Sequence, residues 1–201
     1  MKLWTKIEDE RMRNAVRNVL RDYRFMLFYI PSSLTGKHHP LDERGTEGLL
    51  KHSEKLAWFL YQASIQLQLS IYVRDMLLTA AYFHDLGKLK QTKVIQVLSY
   101  PKLERRTEVI REVKRKDLHP ILGAKLAREY LEKEGVDPST IGIITNLIAS
   151  HMSYWTPYLP QPKTELEKLF ALGDFIVSRD EFRLSSHCKF YKLKKWLHLT
   201  K

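Results

Sequence analysis

The sequence predicts an all-α fold, a helical bundle with room for one small β-hairpin insertion. Three observations carry this. Apolar residues recur at helical spacing along most of the chain. Helix start and stop signals stand at the joints between those stretches. Strand-type patterns are nearly absent outside residues 88–117.

Taken in order, Lys6 to about Phe28 reads as one amphipathic helix, with Ile7, Met12, Val16, Val19, Leu20 and Tyr23 on one side. Pro31-Ser32-Ser33 stops it. Ser32 to Thr46 reads as a loop holding Gly36, Pro40 and the adjacent His38 and His39. A helix from about Thr46 to Leu69 carries His52 ahead of Leu56, Phe59 and Leu60. The next has Asp75 near its start and is expected to end at Gly87, a natural C-terminal residue. Between Lys88 and Asp117 the period does not settle. Val94–Tyr100 and Thr107–Lys114 form either a hairpin or two short helices, and Pro101 as a turn favours the hairpin.

From Pro120 the helical pattern returns and stops at Gly135. Asp137-Pro138 then supplies an N-cap and a first helical residue. Pro157, Pro160 and Pro162 make a stiff loop. Thr164 to Glu167 is a capping box opening the last apolar helix. The tail after Arg183 mixes Lys189, Lys192, Lys194 and Lys195 with Phe190, Tyr191 and Trp196. It either stacks on bases or packs on the domain.

A chain of 201 residues suits a single domain. Its core is expected at about residues 45–180, with the first helix and the basic-aromatic tail as appendages. The lone Cys188 excludes an internal disulfide framework. No signal-peptide pattern or membrane-length apolar run is visible, so a cytoplasmic protein without a membrane role is expected. A net charge of +11 and a pI near 9.6 favour an anionic partner, such as nucleic acid or a nucleotide.

The chemistry concentrates at His84-Asp85-Leu86-Gly87-Lys88. This run closes the apolar stretch Met76 to Phe83. A His and an Asp at the end of a buried helix are costly to desolvate unless something compensates them. A divalent metal compensates both. The anomaly recurs at His52, at His119 in His119-Pro120-Ile121-Leu122-Gly123-Ala124, at His151 after Ile141 to Ser150, and at Asp174 inside Leu169 to Val177. Each alone could be a core residue satisfied by hydrogen bonds, or, for His119, a helix-start residue.

In this order and spacing the six residues resemble the signature of the HD-domain metal-dependent phosphohydrolases, over about Gly45 to Arg179. The resemblance implies that His52, His84, Asp85 and Asp174 hold one metal. It also implies that His119 and His151 hold a second, with Asp85 bridging. Mn, Fe, Ni, Co, Mg and Zn all suit such donors. Two ions can activate water and clamp the oxygens of a phosphoryl centre.

Asp85 and Lys88 are therefore the expected catalytic residues. Lys88 is expected to contact phosphate or relieve leaving-group charge, where a plain reading makes it a helix-end cation. His38, His39, Arg105 and Arg106 are further substrate-binding candidates, each with a solvated-surface alternative. The expected activity is hydrolysis of phosphodiester bonds in nucleic acid or nucleotides. The rivals are a small-nucleotide phosphatase, a cyclic-dinucleotide phosphodiesterase, and a non-catalytic metal-containing binding module. The Gly-Tyr-Pro motif of HD-GYP phosphodiesterases is absent. Met152 follows His151 where CRISPR-associated HD nucleases often carry a His-His pair.

Overall fold

The computed structural model describes residues 2–33, 39–99, 104–111, 118–153 and 158–179. The expectations placed on His38, Pro157 and the tail after Arg183 lie outside the described residues.

A short 3-10 turn at Leu3–Lys6 precedes helices α1 (Glu10–Asp22) and α2 (Arg24–Tyr29). This corrects the single long helix expected from Lys6. Asp9 accepts a hydrogen bond from the Met12 amide, so the helix begins at Glu10. At Tyr23 the backbone leaves helical geometry (φ −104°, ψ 12°). Met12, Val16 and Val19 of α1 are buried, as the apolar stripe implies, and α2 adds Leu27. The N-terminal segment is held to the body by Asp75. Its buried carboxylate accepts from the amides of Glu8 and Asp9, both at 2.8 Å.

After a 3-10 turn at Leu41–Glu43 come α3 (Gly48–Gln66), α4 (Ile71–Phe83) and the single-turn α5 (Gly87–Lys90). Ser70 caps α4. Strands β1 (Thr92–Ser99) and β2 (Glu104–Arg111) pair antiparallel, Thr92 opposite Arg111 and Ser99 opposite Glu104. The hairpin reading holds, with strand ends displaced by one to three residues toward the N-terminus. Arg106 and Arg105 lie in β2 opposite Val97 and Leu98. Their side chains lie outside the described residues.

Helices α6 (His119–Lys133), α7 (Pro138–Ser150) and α8 (Glu165–Val177) complete the fold. Gly135 takes the left-handed conformation (φ 71°) expected after α6. Asp137 caps α7, and both hydrogen bonds of the Thr164–Glu167 capping box are present.

The architecture is all-α, with the hairpin as an insertion. α3 packs on α4, α6 on α7, and α8 closes against α3 and α7. Leu56, Leu60, Leu77, Phe83, Ile144 and Phe170 fill the shared core, all fully buried. Each such side chain contributes roughly 1.5–3 kcal/mol of transfer free energy. Among the described residues no helix is long and apolar enough to cross a membrane.

One expectation about a joint fails. Gly87 does not end α4, which stops at Phe83 with His84 as its C-cap. Gly87 starts α5 instead, without a positive φ. It is glycine because of what it touches. A Cβ there would lie 2.0 Å from the carbonyl oxygen of His119. The partner contact is similar: a Cβ on Gly123 would lie 2.8 Å from the His84 carbonyl oxygen. Two bare backbones interlock and set the first turn of α6 against the end of α4.

Candidate metal centre

All six predicted donors meet at the inner ends of the helices. His52 comes from the first half of α3, and Asp174 from the last turns of α8. His119 is the first residue of α6. His84 and His151 are the C-caps of α4 and α7. Both C-caps use the same local device. The Nδ1–H of His84 donates to the Ala81 carbonyl at 2.8 Å, and that of His151 to the Ile148 carbonyl at 2.6 Å. Each bond fixes the tautomer, so Nε2 carries the free electron pair and points inward. The negative ends of two helix dipoles also converge here, which favours a cation.

Asp85 divides the site into two halves. Its Oδ2 faces His84 Nε2 at 3.6 Å and His52 Nε2 at 4.0 Å. Its Oδ1 faces His119 Nε2 at 3.1 Å and His151 Nε2 at 3.9 Å. Asp174 Oδ1 belongs to the first half, 2.9 Å from His52 Nε2 and 3.4 Å from His84 Nε2. Triads drawn from these residues keep one donor atom each within 4.8 Å of the others.

The protein's own hydrogen bonds leave this cluster unsatisfied. Among the described residues, Nε2 of His84, of His119 and of His151 has no hydrogen-bond partner, and each atom is buried. Buried polar atoms left so are costly, and native structures seldom keep them. Three nitrogen lone pairs around two buried carboxylates are completed by an electron-pair acceptor, so the donors fit a divalent metal.

The electrostatics agree. Burial opposes ionisation of Asp85, but the adjacent Lys88 ammonium, with the His84 and His119 rings beside it, holds its carboxyl well below the usual range. Burial likewise opposes ionisation of Asp174, and the hydrogen bond to His52 with the nearby His84 ring more than offsets it. Burial pushes the His151 ring down to about 3 and lowers His119, so both are neutral near pH 7 and able to bind metal. His52 is the exception. Burial alone would lower it, but bonds to Asp174 and Glu43 raise it to about 10. A metal taking its Nε2 must displace a proton.

Lys88 is buried rather than a surface cap. Its ammonium donates to Asp85 Oδ2 and to the Ser32 carbonyl at 2.9 Å. It orients Asp85 and still lines a cleft of about 270 Å³ over the donors. Ser33, His39, Gln91, Phe175 and Arg179 line the same cleft. His39, a substrate-binding candidate in the sequence, is thus among the residues that line the cleft.

A family model described as HD domain matches residues 49–176. The chain belongs to the HD domain family. No curated protein and no solved structure matches it significantly. The HD domain is that of a metal-dependent phosphohydrolase superfamily, so the family's chemistry and the unsatisfied donor cluster agree.

Sequence reasoning missed several residues of the HD domain's cleft. Arg179 gave a usable signal, since it stands five residues after Asp174 at the end of α8. Its guanidinium lies over the Phe175 ring, 4.2 Å from the centroid. Glu43 gave none. It sits among Asp42, Arg44 and Gly45, a run that reads as a solvated turn, yet it is fully buried beside His52.

Proposed function

We propose that the protein hydrolyses phosphodiester bonds of nucleic acid or nucleotides at a two-metal centre. The carrying observation is Asp85, whose two oxygens face two separate histidine pairs. His52, His84, Asp85 and Asp174 would hold the first ion. Asp85, His119 and His151 would hold the second. Bound there, a pair of divalent ions supplies a water of lowered pKa and charge relief for the phosphoryl oxygens.

The chain's own groups do the rest. Lys88 fixes Asp85 between the two halves. An ammonium has three donors, of which two are engaged among the described residues, and the third would serve a phosphoryl oxygen. Arg179 and Ser33 sit where neighbouring phosphate oxygens would run. The charge of +11 supports a polyanionic substrate, whose affinity grows with each phosphate neutralised. The complete donor set argues against a binding module that has lost catalysis.

The test is hydrolysis of single-stranded RNA and DNA, a generic phosphodiester, cyclic dinucleotides and nucleoside monophosphates, with Mn, Ni, Co, Mg and Zn each supplied. Polymer cleavage is expected, with apparent affinity falling steeply as salt rises. Turnover of nucleoside monophosphates alone, insensitive to salt, would favour the small-nucleotide phosphatase. Retention of RNA without turnover under any metal would favour the binding module.

The two-ion assignment has its own check. His119→Ala and His151→Ala are each expected to halve the bound metal measured by elemental analysis, leaving the His52 half loaded. Unchanged metal content in both variants would remove the second ion from the mechanism.

A further inference from the structure

The geometry points to Glu43 as a positioning residue that aims two histidines at once, the donor His52 and the cleft residue His39. This rests on the metal-centre reading above and adds a residue to it.

Glu43 lies outside the six donors. Its side chain is fully buried. One carboxylate oxygen, Oε2, is 2.8 Å from His39 Nδ1, 3.2 Å from His52 Nδ1 and 3.4 Å from the Ser32 hydroxyl. The other, Oε1, is 2.8 Å from the Lys55 ammonium. The two imidazoles meet edge to face, with centroids 4.9 Å apart. Among the described residues His52 Nδ1 has no hydrogen-bond partner, so the 3.2 Å ion-pair contact with Oε2 is the polar neighbour that orients it. Turned to Oε2, each Nδ1 carries a proton; His39 Nε2 is then left bare, and His52 Nε2 would give up its own proton on taking a metal. For His52 that atom faces Asp174 and Asp85. For His39 it is the ring nitrogen left for the cleft.

A charge-balancing role alone would need only Lys55. The backbone instead clamps Glu43 in place from both sides. The Ser32 amide donates to the Glu43 carbonyl at 3.0 Å. On the other side Gly48 opens α3, where a Cβ would lie 2.0 Å from that same carbonyl oxygen. His84 and His151 are oriented by neutral backbone carbonyls. Of the donors, His52 has a carboxylate behind its Nδ1. A carboxylate there strengthens the imidazole as a donor, and removing such a partner typically costs about 10–100-fold in metal affinity. His39 shares the oxygen, so it is tied to the same anchor as the candidate metal ligand. Its bare Nε2 can accept a proton or a hydrogen bond from substrate.

The test compares wild type, Glu43→Gln, Glu43→Asp and His39→Ala. Lys55 also pairs with Asp42 at 3.0 Å, so the Gln variant leaves no orphaned cation. Thermal melting of the metal-free proteins checks the fold. Mn affinity and stoichiometry come from titration calorimetry, and kcat and KM from a generic phosphodiester. Glu43→Gln is expected to weaken one Mn by about 10–100-fold, with Glu43→Asp recovering part of the loss. His39→Ala is expected to leave Mn affinity unchanged and lower kcat/KM. Wild-type Mn affinity in a folded Glu43→Gln protein would overturn the proposal. Loss of an ion in His39→Ala would overturn the division of roles. A wild type that takes up no Mn would sink the underlying metal reading, and the titration shows this before any variant is compared.

Discussion

Asp85→Ala is expected to abolish both metal uptake and hydrolysis. Asp85 contributes to both halves of the centre, one oxygen to each, so its loss is not confined to one ion. Metal catalysis of this kind supplies several kcal/mol of charge stabilisation. At 1.36 kcal/mol per decade, turnover should fall by about a thousandfold or more. Ala also strips Lys88 of its carboxylate partner while the ammonium stays buried on the Ser32 carbonyl, which destabilises the fold independently. Asp85→Asn separates the effects. Asn keeps the size and still accepts from Lys88, but it brings no charge to the metals. The Asn protein should remain folded, bind little metal and hydrolyse nothing. Wild type should gain about 2.7 kcal/mol of stability at a metal concentration one hundred times the dissociation constant. The Asn variant should melt at the same temperature with or without metal. Full activity in either variant would refute the mechanism.

The six clustered residues were legible because a buried His or Asp writes an anomaly into a helical sequence. A His or Asp that closes or interrupts an apolar run cannot be a solvated face, and five segments repeated that pattern. The caps at Asp137 and Thr164 were legible because their chemistry is local, completed within three residues. What was not legible depends on contacts remote in sequence. Glu43 reads as one more charge in a polar turn. Only the contacts of Ser32 and Gly48 with its carbonyl hold it buried behind His52. Lys88 reads as a free cation because the motif shows its neighbour Asp85 but not the shared burial that pairs them. The break at Tyr23 has no Pro or Gly to announce it. Gly87 misled for a related reason. A glycine after an apolar helix suggests a left-handed cap, whereas here the missing Cβ makes room for another helix's backbone.

That last distinction carries a strong expectation for Gly87→Ala. As a C-cap, Gly87 would lose only conformational freedom on substitution. As a contact point, it has no space to give. The added Cβ meets the carbonyl oxygen of His119 at 2.0 Å and the amide nitrogen of Gly123 at 2.6 Å, both of them backbone atoms. No side chain can rotate away, so α6 itself must retreat by on the order of 1 Å to reach a tolerable contact. Overpacking of this kind costs typically about 1–3 kcal/mol and here should reach the upper end. For a domain of this size each kcal/mol moves the melting temperature by about 2–4 °C, so a fall of roughly 6–12 °C is expected. The retreat also has a direction. It carries His119 away from Asp85 Oδ1, now 3.1 Å away, while the His52, His84 and Asp174 half stays on α3, α4 and α8. Metal content should therefore fall from two ions to one as the melting temperature drops. His119→Ala should lose the same ion with a much smaller loss of stability, because it removes a donor and leaves the interlock. A Gly87→Ala protein that is destabilised but still binds two ions would show that the interlock supports the fold without setting the second half of the centre.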